Sequence, residues 1–228
     1  VPANSSLALM SFVSATPPSP AADFTKAQMQ YVIADTSGTA VRNLTVPVLS
    51  DGTAPAAVTA PAAGLYTITT TLLGGGFFSP ASTQTLLVVF DSTSSATGGG
   101  WESVPSTAIG LTPGAKANFG FVVKYLPGTT TPAGNLVFQD KVDNLDFKAT
   151  GLDWMVVQAG SAVLPFQGSA WLQGTGTVNG AGGFQFRVNA TQGPSTFTIT
   201  IWDSQHSFDS PNFQTSAVLG GGSVQVHT

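Results

Sequence analysis

The sequence predicts an all-β protein: two tandem β-sandwich domains preceded by a free N-terminal β-strand. Turn-forming residues are abundant, with 26 Gly and 15 Pro among 228 residues. Thr and Val recur in short runs bounded by these residues, as in strands. Apolar residues within the runs alternate with polar ones, and no stretch has the spacing of an amphipathic helix.

Composition excludes several function classes. Charged residues make up 8 % of the chain, against about 25 % in an average domain. The seven Lys and Arg residues are scattered, so we expect no nucleic-acid partner. No apolar run reaches the roughly 18 residues of a membrane span, so we expect no membrane insertion. The chain has no Cys and begins at Val1, and we predict an extracellular or cell-surface location.

Residues 1–16 are predicted to form an extension strand. The segment is uncharged, and Pro17, Pro18 and Pro20 follow it and cannot join a sheet interior. An exposed apolar strand is a template for pairing with another chain. The candidate assembly residues are Leu7, Ala8, Leu9, Met10, Phe12 and Val13.

Residues 17–92 are predicted to form an immunoglobulin-like domain. Strand patterns occupy 24–35 and 44–49, and two more cover 66–72 and 84–91. The Ala- and Pro-rich stretch 54–64 between them is predicted to be a loop. Short strands at this spacing are typical of an immunoglobulin-like sandwich.

Residues 93–100 are predicted to be a linker because they are small, polar and rich in Gly. Gly98–Gly100 and Gly220–Gly222 are predicted to be turns. Residues 101–228 then form a second, larger β-sandwich domain, with strict alternation at 119–125 and 184–188.

Several motifs in the second half carry a family resemblance. ATGGGW, GAKANFGFVVKY, LDF with DWMVV, GTGTVNG, TIWD and LGGGSV follow one another from residue 96 to residue 224. Together, from about residue 90 onward, they resemble the C-terminal β domain that follows PKD or Ig-like repeats in large secreted bacterial surface proteins. The resemblance implies a cell-surface role and no catalytic residues. The segment VLPFQGSAW at 163–171 is longer than the corresponding family segment.

Residues 20–92 resemble a diverged PKD or Ig-like repeat. The motifs are GLYTIT at 64–69 and TLLVVFD at 85–91. The Trp-Asp-Phe-Gly-Asp signature of PKD domains is missing from the sequence.

The sequence predicts no enzyme, no metal site and no cofactor. A serine hydrolase needs a histidine beside its nucleophile, and both His206 and His227 have surroundings typical of a surface residue. Asp140, Asp143 and Asp146 lack the spacing of an EF-hand. A polar edge with incidental calcium affinity remains an alternative for these three carboxylates.

Surface sugar is the other predicted chemistry. Asn4, Asn43 and Asn189 each begin an N-glycosylation sequon, and the alternation around Asn189 predicts that its side chain faces water. Trp154 and Trp202 lie in strand patterns and are predicted to be core residues. Trp171 is the candidate surface aromatic.

Two function hypotheses follow. In the first, the chain is a structural subunit of an extracellular fibre or surface array, and each copy donates its N-terminal strand head-to-tail to a neighbouring copy. In the second, it is an adhesin or carbohydrate-binding module of a larger secreted protein. A third alternative concerns the strand alone, which could be the first strand of its own domain.

Overall fold

The structure is a computed structural model that describes residues 1–14, 23–74, 78–160 and 168–228. It divides into two compact units, Val1–Val89 and Phe90–Thr228. The all-β prediction is confirmed, since the one helix among the described residues is a single 3₁₀ turn, Phe24–Lys26. The predicted proline stop at residues 17–20 and most of the long segment at 163–171 lie outside the described residues.

Unit 1 contains two antiparallel sheets that share one core. The larger sheet has the order β3-β2-β5-β6, and β1 and β4 form a separate two-stranded sheet. Met29, Tyr31 and Ile33 alternate along β2 and pack in one cluster with Leu7 and Leu9 of β1. The strands are β1 (Ser6–Phe12), β2 (Gln28–Asp35), β3 (Ala40–Pro47), β4 (Thr53–Thr59), β5 (Gly64–Leu73) and β6 (Ala81–Val89).

Aspartate turns connect these strands. The Asp35 carboxylate accepts hydrogen bonds from the backbone and hydroxyl of Ser37, and the Asp51 carboxylate accepts the same pair from Thr53. These bonds hold the pKa of both carboxyl groups below the ordinary value. Short polar side chains of this kind favour turns because they satisfy the backbone locally.

The predicted loop at residues 54–64 is wrong in its first half, because Thr53–Thr59 forms β4. Pro55 and several Ala residues suggested a loop. Pro55 is tolerated because, among the described residues, β1 is the only strand that pairs with β4.

Unit 2 is a closed antiparallel barrel in which each strand pairs with the next and the last pairs with the first. Its eight strands are β7 (Ser95–Ser103), β8 (Lys116–Tyr125), β9 (Pro132–Asp140), β10 (Leu145–Ala159), β11 (Gly168–Val178), β12 (Ala181–Thr191), β13 (Thr196–Trp202) and β14 (Phe213–His227).

The barrel corrects the prediction of a second sandwich domain. A sandwich strand and a barrel strand both bury alternate residues, so period-two patterning does not distinguish them. The difference lies in the pairing of β14 with β7, which closes the sheet. The immunoglobulin-like assignment of unit 1 remains a prediction.

The predicted linker and glycine turns are also corrected. Residues 95–100 belong to β7, and Gly220–Gly222 belong to β14. These two strands face each other, with Gly222 opposite Gly100. A Cβ atom on Gly100 would overlap the Gly221 carbonyl oxygen, and the Trp101 ring occupies the space beside Gly220 and Gly221. The glycines therefore permit close approach at the closing seam of the barrel.

Side chains fill the barrel interior. The rings of Phe119 and Phe197 stack with centroids 3.9 Å apart, and those of Phe147 and Phe186 meet edge to face at 5.3 Å. The Tyr125 hydroxyl donates to the Met155 carbonyl oxygen at 2.8 Å, which satisfies a buried polar group. The barrel is thus a packed core, as expected for eight strands.

Candidate assembly site

The N-terminal strand β1 packs within its own unit, in a groove beside β4 that we call the slot. The two strands pair in register from Ser6 opposite Thr59 to Phe12 opposite Thr53. Beyond the strand, the Val13 amide donates to the Gly52 carbonyl oxygen at 2.8 Å. The description of β1 as a free strand is therefore corrected: it completes the unit 1 core, because its apolar face would otherwise be exposed to water.

The six predicted assembly residues divide into two faces. Leu7, Leu9 and Val13 are buried at 7–8 % exposure, whereas Met10 and Phe12 are about 70 % exposed. Ala8 is exposed as well. The alternation follows from the period of two along a strand, so three side chains enter the core and three face outward.

The floor of the slot is formed by β2 and the start of β4. The Tyr31 hydroxyl donates to the Ala54 carbonyl oxygen at 2.5 Å, which ties the two sheets together. Gly52 has a φ of 84°, and a Cβ atom there would lie 2.5 Å from the Val13 carbonyl oxygen. The slot therefore requires glycine at the point where the strand leaves it.

The first residues fasten the other end of the strand. The Val1 ammonium group donates to the Val88 carbonyl oxygen at 2.8 Å, and the Ala60 amide donates to the Ser5 carbonyl oxygen at 2.9 Å. Partial burial lowers the pKa of this ammonium group. The strand is thus held along its length by β4 and at its beginning by β6.

The three sequon asparagines lie at different positions on the surface. Asn4 is exposed and has a φ of 60°, and Asn43 is exposed on β3 and accepts a hydrogen bond from Gln30 at 3.2 Å. Asn189 is half-buried on β12, between the inward-facing Val188 and Ala190. Its side chain is therefore on the outer face of the barrel.

The tryptophans differ from their predictions in one case. Trp202 is buried, as predicted, but Trp154 is half-buried near Arg187, whose guanidinium carbon is 5.7 Å from its ring centroid. Trp171 is half-buried and lies opposite Asn189 in the barrel register. It is flanked along β11 by the inward-facing Ala170 and Leu172 and so faces outward.

The candidate catalytic and metal residues are engaged in structural contacts. His206 Nδ1 lies 2.7 Å from the Asp203 carboxylate, and this contact lowers the pKa of Asp203. Asp143 accepts two hydrogen bonds from Thr112, while Asp146 pairs with Lys148 at 2.9 Å. Among the described residues, no group of three or more His, Cys, Asp or Glu could hold a metal ion.

One buried acid was not predicted from the sequence. Glu102 is fully buried on β7, and its Oε1 accepts a hydrogen bond from the Thr215 hydroxyl at 2.7 Å. Within the described parts of the chain, Oε2 has no hydrogen-bond partner. Burial raises the pKa of Glu102 to about 7. As the chain's single Glu beside the glycine-rich closing strand, it could have been singled out from the sequence.

No family model, curated protein or solved structure matches the chain. In the described ranges, no helix has the length and apolar character needed to cross a membrane.

Proposed function

We propose that this chain is the structural subunit of an extracellular fibre or surface array, in which β1 of each copy fills the slot beside β4 of the next copy. The observation that carries the proposal is that β1 buries its apolar face against, and pairs along its whole length with, segments that are distant in sequence. Its partners on β4 begin at Thr53, and its amino group contacts Val88.

Exchange of β1 between copies costs little, because each contact within one chain has an identical counterpart between chains. Burial of Leu7, Leu9 and Val13 contributes roughly 5–9 kcal/mol before ordering costs. Residues 15–22 join β1 to the rest of unit 1 and include three prolines. Donation in one direction produces an open chain of subunits.

The surface composition supports an extracellular role. With few charges, water solubility must come from uncharged polar groups or attached sugar, and Asn4 and Asn43 are exposed sequon residues. Sugar on these residues would keep a homopolymer soluble. The chemistry of the proposed function is structural and not catalytic.

A cysteine pair across β1 and β4 tests strand exchange directly. Ala8 and Ala57 are exposed and directly opposite each other, which places their Cβ atoms about 4.5–5.5 Å apart. The natural chain has no Cys, so a disulfide in Ala8→Cys/Ala57→Cys has a single origin. After oxidation of assembled material, we expect a ladder of covalent multimers on a denaturing gel that collapses on reduction.

A second pair serves as the control. Thr198 and Ser216 lie opposite each other across β13 and β14 of the closed barrel, with their hydroxyl oxygens 2.7 Å apart. Thr198→Cys/Ser216→Cys should form only a disulfide within one chain, whatever the assembly. If the Ala8→Cys/Ala57→Cys protein also yields only monomers, β1 remains in its own unit and the proposal fails.

The adhesin alternative rests on Trp171, whose half-exposed indole faces outward on the barrel. Aromatic rings of this kind can stack on sugars. A glycan array tests it: binding that is lost in Trp171→Ala and kept in Trp154→Ala would favour this alternative.

A further inference from the structure

We propose that the outer edge of β6 is a second association surface, which pairs antiparallel with β6 of a second copy. Among the described residues, β6, the last strand of the larger unit 1 sheet, pairs along its length with β5 alone. Near its end, the Val88 carbonyl oxygen is taken by the Val1 ammonium group. The earlier part, Ala81–Leu86, has an open edge and is exposed on both faces.

The double exposure has a structural cause. The two-stranded sheet does not cover the beginning of β6, and a groove of about 380 Å³ remains there. Val13, Met29, Leu72, Ala81 and Thr83 contribute to its lining. Among the described residues, the beginning of β6 is thus held to unit 1 mainly by its ladder with β5, and no described strand pairs with its other edge.

This edge lacks the protection that other open edges carry. On the opposite edge of the same sheet, β3 includes Arg42 and Pro47. In the two-stranded sheet, β4 includes Pro55. The stretch from Phe78 to Phe90 has no charged residue, and its one proline, Pro80, precedes the strand. Charges and prolines are the usual means of blocking edge pairing.

The Val1 contact determines which backbone groups point outward. Because the Val88 carbonyl group faces away from β5 to meet Val1, the alternation of an antiparallel strand turns the N–H and C=O groups of Leu86, Gln84 and Ser82 outward as well. An incoming strand would find these three residues in position for about six backbone hydrogen bonds.

A second copy fits this edge because two β6 strands can pair antiparallel with favourable residues opposite each other. With the two-fold axis at Gln84, Gln84 pairs with its own counterpart and Thr83 lies opposite Thr85. Thr pairs across strands are favourable, and no like charges oppose each other. The pairing is isologous and closes at two copies. It requires no exchange of β1 and therefore goes beyond the proposed fibre contact.

Sedimentation of the oxidised, monomeric Ala8→Cys/Ala57→Cys protein tests the inference, since β1 cannot leave its own unit there. We expect a concentration-dependent dimer whose Kd rises at least tenfold in Gln84→Pro and Gln84→Lys. Gln84→Pro removes an outward N–H group and leaves the β5 ladder intact. Ala40→Lys, exposed on the opposite edge strand β3, is the matched control and should change Kd less than twofold.

Hydrogen exchange supplies a second measurement. The amides of residues 82, 84 and 86 should become protected as concentration rises, and this protection should be lost in Gln84→Lys. A protein that remains monomeric at millimolar concentration, or a dimer weakened equally by Ala40→Lys, would overturn the inference. If only exchanged multimers are recovered, the same variants are compared by imaging, and lateral pairing of filaments must disappear in Gln84→Lys alone.

Discussion

The two units treat the unpaired edges of their β-sheets in opposite ways. In unit 2 each strand has two neighbours, because β14 pairs with β7. In the described part of unit 1 the larger sheet ends at β3 and β6, and β1 and β4 each have one neighbour. Open edges are templates for association, and closed barrels have none. We therefore expect any association through backbone pairing to use the edges of unit 1.

The units also differ in how they use carboxyl groups. Unit 1 places Asp35 and Asp51 in exposed turns, where hydrogen bonds favour the charged form. Unit 2 buries Glu102, where desolvation favours the neutral form. Unit 2 also has carboxyl groups whose pKa values are lowered in the same way as in unit 1, on Asp143, Asp146 and Asp203. We therefore expect acid to destabilise both units, and a rise in pH from about 4.5 to 7 to destabilise unit 2 through Glu102. Hydrogen exchange with mass spectrometry reports on each unit separately and serves for the predictions below.

The largest effect is expected at the barrel seam. In Gly100→Ala the new methyl group would overlap the Gly221 carbonyl oxygen. Neither strand can move without opening the closed sheet, so we expect a loss of about 4 kcal/mol or more and an unfolded unit 2. Gly99→Ala is the matched control, because its Cβ atom would meet nothing closer than 3.7 Å. Equal stability of the two variants would contradict this account of the seam.

The next effect is the pH dependence of unit 2. Glu102 has a pKa of about 7 in the folded barrel, against 4.5 for the unperturbed group, so between these values the folded state binds more protons. Stability should therefore fall as pH rises from 4.5 to 7 and level off above, with a total change of about 3 kcal/mol at most.

Glu102→Gln should remove this dependence and make unit 2 more stable than the natural protein at pH 8. The comparison variant is Asp35→Asn in unit 1. Because the pKa of Asp35 is lowered by folding, its contribution is present above the unfolded pKa and is lost as pH falls. Identical pH profiles for natural and Glu102→Gln unit 2 would show that the buried carboxyl is not the titrating group.

A smaller effect is expected in unit 1. Leu9→Ala removes a side chain that is buried in the slot and should cost about 2–3 kcal/mol. Met10→Ala, one residue away on the exposed face, should leave the stability of unit 1 nearly unchanged. Both variants should leave hydrogen exchange in unit 2 at the natural rate. A loss in Met10→Ala as large as in Leu9→Ala would mean that the outward face is also covered.

The sequence predicted strands in unit 2, but it did not predict that the first and last strands pair to close a barrel. Alternation at Phe119, Phe121 and Val123 identified a half-buried strand, and these residues face the barrel core. Closure depends on contacts between Gly100 and Gly222, which are 122 positions apart. Glycine is typical both of turns and of close approach between backbones. The pairing of β7 with β14 shows that close approach is the reason here.

The N-terminal strand was predicted from the sequence, but the surface that covers it was not. The uncharged apolar run Leu7–Val13 identified a strand that needs a cover, and the structure buries Leu7, Leu9 and Val13 of it. A periodic pattern does not say which surface provides the cover. The slot is formed by β4, and the Pro55 in that strand had suggested a loop instead.

The smallest expected effect compares one arginine in each unit. Arg187 donates two hydrogen bonds to Gln173, at 3.0 and 2.6 Å, and its guanidinium carbon lies 4.3 Å from the Phe208 ring centroid. Lys cannot make both contacts from one ammonium group. Arg187→Lys should therefore destabilise unit 2 by about 0.5–1 kcal/mol.

Arg42 in unit 1 gives the matched variant. Its guanidinium donates to the Thr59 carbonyl oxygen at 3.2 Å and so links β3 to β4. In Arg42→Lys we expect faster hydrogen exchange in β4 and unchanged exchange in unit 2. In Arg187→Lys we expect faster hydrogen exchange in unit 2 and unchanged exchange in unit 1. In the closed barrel, Arg187→Lys removes one contact among many, whereas the two-stranded sheet is held by few contacts. Arg42→Lys should therefore also promote release of β1. When Arg42→Lys is added to Ala8→Cys/Ala57→Cys, an increase in covalent multimers on the gel would measure that release. An unchanged gel pattern would mean that β1 is retained by its backbone hydrogen bonds to β4 and not by Arg42.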